Sequence, residues 1–93
     1  MVTVIPYSDE DEAIALANGS AYGLAGSVWT SDTDHGYEVA RRIRAGTFGI
    51  NQYSLDAYCP VGGVKGSGIG REFGREGLDA FTELKTVAPP PKA

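Results

Sequence analysis

Apolar and polar positions alternate in short blocks along the first half of the chain. Three short, largely apolar runs are bounded by proline, glycine or polar residues, and each predicts a strand. These runs are residues 2–7, 24–29 and 47–51. The first is rich in β-branched residues and is expected to be buried on both faces. The blocks 8–18 and 31–44 place apolar residues at helical spacing. This order predicts an α/β fold, in which right-handed crossovers join parallel strands.

Polar residues mark the ends of the two predicted helices. Ser8 is predicted to cap the first helix, with Asp11 in a capping-box position, and Gly19 follows its end. Residues 31–34 offer several caps for the second helix, and Gly46 is predicted to stop it. Cations in the last turn of a helix interact favourably with its dipole, and the second predicted helix has Arg41, Arg42 and Arg44 there.

The second half is less regular. Residues 52–70 are predicted to form a long loop, and an ordered loop of that length is usually functional or held by another structure. A further helix is then predicted, followed by a short strand over 82–87 and an extended, solvated tail over 88–93. The predicted apolar stripe of that last helix consists of Phe73, Gly77, Leu78 and Phe81.

Length and charge narrow the classes of function. The 93 residues allow one small domain, and the hydrophobic fraction of 42% is typical of a packed chain. The net charge of -4 without a basic stripe argues against nucleic acid as a partner. No apolar run predicts a membrane span or a secretory signal, so we expect a cytoplasmic protein. The single cysteine, Cys59, agrees with a reducing compartment.

The predicted sheet is incomplete. Three parallel strands with two crossover helices leave strand edges and at least one face open, which a soluble chain normally covers. We therefore expect more polypeptide, or another copy of the chain, to pack against it.

A glycine-rich segment, defined as residues 62–70, raises the question of phosphate binding. A dinucleotide fingerprint that begins at Gly66 needs glycine at 71 and meets Arg71, and one that begins at Gly68 meets Phe73 at its last position. A Walker-type loop needs serine or threonine after its lysine, whereas Gly66 follows Lys65. A tight loop passing other backbone is the favoured interpretation, with phosphate binding as the alternative.

The remaining reactive residues give weak signals. Cys59 lacks a neighbouring base in the sequence and is interpreted as a passive loop residue, although a nucleophile is the alternative. His35 has no second ligand at metal-binding spacing and is interpreted as a solvated helix residue, so no metal site is predicted. The acidic run 9–12 is assigned to helix capping. A charged, salt-bridged helix face is predicted from Arg71, Glu72, Arg75 and Glu76.

Taken together, several blocks resemble the C-terminal part of the NAD(P)-dependent aldehyde dehydrogenase family. Their order and spacing carry the resemblance, which covers residues 2–87. The blocks are Asp9-Glu10-Asp11-Glu12-Ala13-Ile14-Ala15-Leu16-Ala17-Asn18, Tyr22-Gly23-Leu24-Ala25, Ala45-Gly46-Thr47 with Ile50-Asn51, Gly62 to Glu72, and Gly77 to Val87.

The resemblance implies a fold, an activity and a division of the chain. Residues 1–81 are expected to form part of the catalytic domain, a partial three-layer sheet with parallel strands and crossover helices. Residues 82–87 form an oligomerisation strand, and 88–93 a tail. The family oxidises an aldehyde to a carboxylic acid through a cysteine nucleophile, a glutamate base and a Rossmann domain. All of these lie upstream of the region that this chain resembles, so no catalytic, cofactor-binding or metal-binding residue is predicted here.

The resemblance implies that this chain supplies part of the wall of the substrate tunnel and a subunit contact. The predicted tunnel residues are Asn51, Tyr53, Leu55 and Val61, where Val61 replaces a common phenylalanine and would widen the wall. The predicted oligomerisation residues are Thr82, Glu83, Leu84, Lys85, Thr86 and Val87. Expected partners are a second copy or full-length aldehyde dehydrogenase subunits. The chain alone is expected to be inactive and to bind no cofactor. The alternative is a non-catalytic interaction module. A third hypothesis is a gene fragment without a cellular role.

Overall fold

Three helices and four short strands make up the structure, a computed structural model that describes residues 1–93. In chain order the elements are α1 (Glu10–Asn18), β1 (Tyr22–Gly23), β2 (Ala25–Val28), α2 (Thr33–Arg42), β3 (Thr47–Ile50), β4 (Val64–Lys65) and α3 (Gly74–Asp79). Strands β2 and β3 pair in parallel from Ala25 opposite Thr47 to Val28 opposite Ile50, and α2 connects them. The predicted crossover between the strands over 24–29 and 47–51 is therefore confirmed, whereas the chain forms two separate two-stranded sheets instead of one sheet of three parallel strands.

The predicted loop over 52–70 contains a strand that the sequence pattern missed. Strand β4 lies within the glycine-rich segment and pairs antiparallel with β1, with Tyr22 opposite Lys65 and Gly23 opposite Val64. A two-residue strand is too short to show an alternating pattern. Only its partner in space identifies it.

The first helix begins one residue later than predicted. Asp9, not Ser8, is the N-cap, because its extended backbone directs the carboxylate to accept from the Glu12 N–H at 2.8 Å. Ser8 instead donates its own N–H to the Glu12 carboxylate at 2.7 Å. The hydrogen bond that the Ser8 hydroxyl donates to the same carboxylate, and then the bond from the Ser8 N–H, lower the pKa of Glu12. The predicted capping box of Ser8 and Asp11 is therefore wrong, because Glu12 bonds back to the residue before the N-cap and Asp11 pairs with Arg42.

The second helix ends earlier than predicted. Asp32 caps its start and accepts from the His35 N–H at 3.0 Å, but the helix stops at Arg42 because Ile43 is extended. Arg44 and Gly46 therefore lie outside it. The Asn18 amide donates to the Arg42 carbonyl and accepts from the Arg44 N–H, each at 2.8 Å. This contact from α1 satisfies backbone groups at the end of α2 in place of a glycine cap.

Two predicted strands are absent from the folded chain. Residues 2–7 and 82–87 lie in no helix or strand and are exposed. A strand needs a partner, and the chain provides none for either segment. The predicted apolar stripe of α3 is also wrong, because only Gly77 is buried, while Leu78 is 62% exposed and Phe81, beyond the helix, is 87% exposed.

The core is small and open on one side. Ile14 of α1 and Val39 of α2 are the only buried large apolar residues. Beside them lies a groove of about 540 Å³ between α1, α2 and the first strands, which we call the apolar groove. Its apolar lining includes Ile14, Leu24, Val28, Val39, Ile43 and Phe48. The incomplete coverage expected from the sequence is therefore a feature of the structure.

Surface ion pairs connect α1 with α2 beside this core. The Glu10 carboxylate lies 2.5 Å from His35 Nε2 and 3.4 Å from an Arg42 nitrogen, while Asp11 lies 2.5 Å from Arg42. The hydrogen bond to Glu10 is the main reason that the pKa of His35 is raised from 6.5. The Asp11 carboxylate similarly raises the pKa of Arg42. All of these side chains are largely exposed, so each pair contributes little to stability.

We predict that Glu10→Gln lowers the pKa of His35, measured by NMR titration of its ring protons. A histidine whose pKa is raised by folding stabilises the fold below the unfolded pKa, near 6.5, and this contribution is lost as the pH rises through the folded pKa. The wild-type chain should therefore lose a small part of its stability on going from pH 6 to pH 8, and the variant should lose less. Glu76→Gln on α3 is the control, and an equal shift in both variants would contradict the pairing.

Candidate functional site

The glycine-rich segment passes close to the backbone between α2 and β3. A Cβ atom placed on Gly46 would lie 1.5 Å from the Gly62 carbonyl oxygen, so only glycine fits there. The Gly46 N–H donates to the Gly23 carbonyl at 3.0 Å, and the Gly23 N–H donates to the Ser67 hydroxyl at 2.9 Å. The segment is thus a loop packed against other backbone, as the favoured interpretation of its glycines predicts.

Most polar groups of this segment already have partners. The N–H groups of Gly66, Ser67 and Gly68 donate to backbone carbonyls. Lys65 extends its ammonium to the carbonyls of Asn18 and Ser20, at 2.9 and 3.1 Å. A phosphate cradle requires N–H groups that point at the ligand, and these point at the chain itself. The arrangement fixes a loop to the end of α1.

Arg71 is a structural residue that the sequence pattern misassigned. One of its guanidinium nitrogens donates to the carbonyls of Gly63 and Gly70, at 2.8 Å each, and Glu72 pairs through its backbone with Val61. The predicted salt-bridged face of Arg71, Glu72, Arg75 and Glu76 is therefore wrong, since these residues form no ion pair with one another. Polar side chains inside a glycine-rich run are a signal that could have indicated carbonyl binding.

Asn51 holds the carboxyl ends of the two parallel strands together. Its side chain accepts from the Thr30 N–H at 2.7 Å and donates to the Thr30 carbonyl at 2.8 Å, while its own N–H donates to the Val28 carbonyl at 2.8 Å. Its φ of 56° lies in the left-handed region, which asparagine tolerates better than most residues. Both ends of the amide are occupied within the chain.

The other predicted tunnel residues lie on the segment that follows β3. The Tyr53 hydroxyl is 3.3 Å from the Thr47 hydroxyl, and Leu55 is exposed. Val61 is half-buried and lines a second cavity of about 320 Å³ with Leu24 and Arg71. Asn51, Tyr53 and Leu55 line neither this cavity nor the apolar groove. The chain by itself therefore does not bring the four residues around one space.

The reactive side chains of Cys59 and His35 line neither the apolar groove nor the second cavity. Cys59 is exposed, and His35 is hydrogen-bonded to Glu10 on the surface between α1 and α2. No three histidine, cysteine, aspartate or glutamate side chains gather as metal ligands would. No helix is long and apolar enough to cross a membrane.

Comparison with known proteins identifies the chain's family. Residues 1–87 match the family model described as the aldehyde dehydrogenase family. The chain belongs to the aldehyde dehydrogenase family. It is similar to the geranial dehydrogenase of Castellaniella defragrans, with 49% identity over 87 residues, which cover 94% of the chain and 18% of the relative. The betaine aldehyde dehydrogenase of Bacillus subtilis is 48% identical over 88 residues, with coverage of 94% and 18%.

Solved structures of the family agree with the fold. An aldehyde dehydrogenase of Mycobacterium tuberculosis complexed with NAD+ superposes with a TM-score of 0.89 at 56% identity, covering 92% of this chain and 18% of that one. An aldehyde dehydrogenase of Bacillus cereus in complex with NAD+ gives a TM-score of 0.84 at 49% identity, with coverage of 89% and 17%. The chain thus spans about 18% of the length of the relatives that it matches.

The solved relatives of this aldehyde dehydrogenase chain hold NAD+, and residues 65–68 of its glycine-rich segment can be tested for a fit to such a cofactor. The N–H groups of residues 66–68 and the Lys65 ammonium are occupied by carbonyls, as described above. The following helix, α3, has only 6 residues. A dinucleotide pyrophosphate needs free N–H donors at a helix start, and residues 66–68 offer none.

We predict that Gly46→Ala destabilises the chain by roughly 3 kcal/mol or more, because the backbone must move to accommodate the new Cβ. Gly70→Ala is the matched control, since its Cβ meets nothing within 4 Å, and its stability should stay within about 0.5 kcal/mol of wild type. Urea denaturation of both variants measures the difference. Equal midpoints would show that the close approach to Gly62 is not a constraint.

We predict that Asn51→Gly and Asn51→Ala both lower stability, by about 1–3 kcal/mol, because both remove the hydrogen bonds to Thr30. Alanine should be the more damaging by about 1 kcal/mol, since it must also adopt the positive φ that glycine accepts. Thermal and urea unfolding check both values. A glycine variant as stable as wild type would mean that the Thr30 bonds contribute nothing.

Proposed function

We propose that this chain forms the C-terminal part of an NAD(P)-dependent aldehyde dehydrogenase, which oxidises an aldehyde to a carboxylic acid. The main support is the combination of a family fold with an open core. The chain superposes on a family member with a TM-score of 0.89, yet it leaves the apolar groove and many large apolar side chains exposed. Such surfaces normally mark contacts with more protein.

The chain alone is inactive in this proposal. Its single thiol, Cys59, lies exposed on a loop, and its single histidine is held by Glu10. A nucleophilic thiol needs a base or a positive environment that lowers its pKa. The remaining part of the dehydrogenase supplies the nucleophile, the general base and the cofactor site.

Residues 1–81 belong to the catalytic domain and supply part of the substrate-tunnel wall. Tyr53 and Leu55 are about half exposed on the segment after β3, where an apolar wall would cover them. Val61 offers a smaller side chain than phenylalanine and leaves a wider wall. Asn51 contributes by holding the strand ends from which this segment departs, because its own amide is bonded to Thr30.

Residues 82–87 provide the subunit contact in this proposal. Within the chain no backbone N–H of residues 83–87 donates a hydrogen bond, and Leu84 and Val87 are exposed. Free donors and acceptors on an extended segment are what strand addition to a neighbouring subunit requires. The partner is a second copy or a full-length aldehyde dehydrogenase subunit, and the tail over 88–93 remains outside the contact.

The alternative is a non-catalytic interaction module. The same free backbone of 83–87 and the same exposed apolar groove favour it, because both would serve association without any reaction. The two functions differ in whether the chain can replace its counterpart inside an active dehydrogenase.

We predict that the isolated chain does not reduce NAD+ or NADP+ with any of a range of aldehydes, measured at 340 nm. A chimera, in which residues 1–87 replace the matching part of the geranial dehydrogenase of Castellaniella defragrans, should oxidise geranial. The chimera that also carries Gly46→Ala should lose activity, whereas Gly70→Ala should retain it.

Turnover by the isolated chain would contradict the proposed inactivity. A chimera that is folded and assembled but inactive would favour the interaction module. Light scattering then decides that alternative, because a well-folded monomer with no tendency to associate would exclude it.

A further inference from the structure

The loop that carries Val61 is tied at both ends to the start of α3. The N–H of Val61 donates to the Glu72 carbonyl and the N–H of Glu72 donates to the Val61 carbonyl, each at 2.7 Å. The Gly74 N–H donates to the Ala57 carbonyl at 3.1 Å. Residues 72–74, which we call the junction, therefore bind the loop 57–61 through three backbone hydrogen bonds.

The junction has an unusual backbone conformation. Phe73 has φ 60° and ψ 168°, and Gly74 follows with φ 62°. A bulky residue at such angles is a strained exception, and strain of this kind persists only where its surroundings hold it. The Phe73 ring is 45% exposed. Burial of the ring thus compensates little for the backbone strain at Phe73. The hydrogen bonds of Glu72 and Gly74, on either side of Phe73, hold its backbone in place.

The junction and the loop also fit closely in space. A Cβ atom on Gly74 would lie 3.1 Å from the Pro60 nitrogen and 3.2 Å from the Tyr58 oxygen. On the other side, a Cβ atom on Gly77 would lie 2.7 Å from the Glu72 carbonyl carbon. The body of α3 packs on one side of the junction and the loop packs on the other, so a shift in either moves Glu72.

We propose that the junction positions the loop 57–61 and thereby sets the width of the substrate tunnel at Val61. Phe73 and Gly74 are positioning residues, which act through the loop and need not touch the aldehyde. This inference rests on the proposed function, because it takes Val61 as part of the tunnel wall.

The first test is hydrogen exchange of the 93-residue protein, followed by NMR or mass spectrometry. Gly74→Ala adds a Cβ against the loop, and the protection of the amides of residues 61 and 74, relative to their intrinsic exchange rates, should fall about tenfold. Gly70→Ala, which has open space around its Cβ, should leave them within about twofold of wild type. If Gly74→Ala does not fold, Gly74→Asn replaces it, since asparagine tolerates the positive φ and still places a Cβ beside Pro60.

The second test is steady-state kinetics of the chimera with geranial. Gly74→Ala should raise KM by about fivefold or more while kcat stays within about twofold, and Gly70→Ala should change neither. A merely destabilising change would lower kcat and kcat/KM together through loss of active enzyme.

Unchanged exchange at Val61 would overturn the positioning by the junction. Faster exchange with an unchanged KM would overturn its effect on the tunnel. An inactive chimera with the wild-type sequence would refute the proposed function instead, and the exchange result would still decide whether the junction holds the loop.

Discussion

The contact on which the rest of the structure depends is the approach of the glycine-rich segment to the backbone before β3. Gly46 has no room for a side chain, because the Gly62 carbonyl occupies the place of its Cβ atom. Around this point the backbone of Gly23 and the Ser67 hydroxyl complete the hydrogen bonding. This contact lets a long irregular segment lie directly against the small α/β unit.

Two asparagines connect the ends of helices and strands by side-chain hydrogen bonds. Asn18 joins the end of α1 to the end of α2, and Asn51 joins the ends of β2 and β3. Each uses both its donor and its acceptor on backbone groups at, or just beyond, the end of another element. Because only Ile14 and Val39 are buried large apolar residues, such polar connections carry an unusual share of the specificity of the fold.

Membership of the aldehyde dehydrogenase family explains why the chain has so many exposed apolar surfaces. A segment that covers about 18% of its relatives and superposes closely on them can be expected to have surfaces shaped for other polypeptide. In the proposed function, the surfaces that contact other polypeptide are the apolar groove, the unpaired segment 2–7 and the free backbone of 83–87. In the glycine-rich segment, in contrast, the N–H groups of residues 66–68 and the Lys65 ammonium already bind carbonyls of the chain, so its resemblance to a phosphate loop is misleading.

The sequence by itself determined the elements whose signals are local. The periodicity of α1 and α2, a cap for α2 within residues 31–34, the parallel β2 and β3, and the family all follow from residues close together in the chain or from the order of its motifs. The tertiary structure alone decided what depends on distant partners. It paired β4 with β1, ended α2 through Asn18, turned Arg71 toward carbonyls, and left 2–7 and 82–87 without the strand partners that their patterns predicted. A strand or a polar side chain is defined by what it bonds to, and the sequence does not state which residues meet in space.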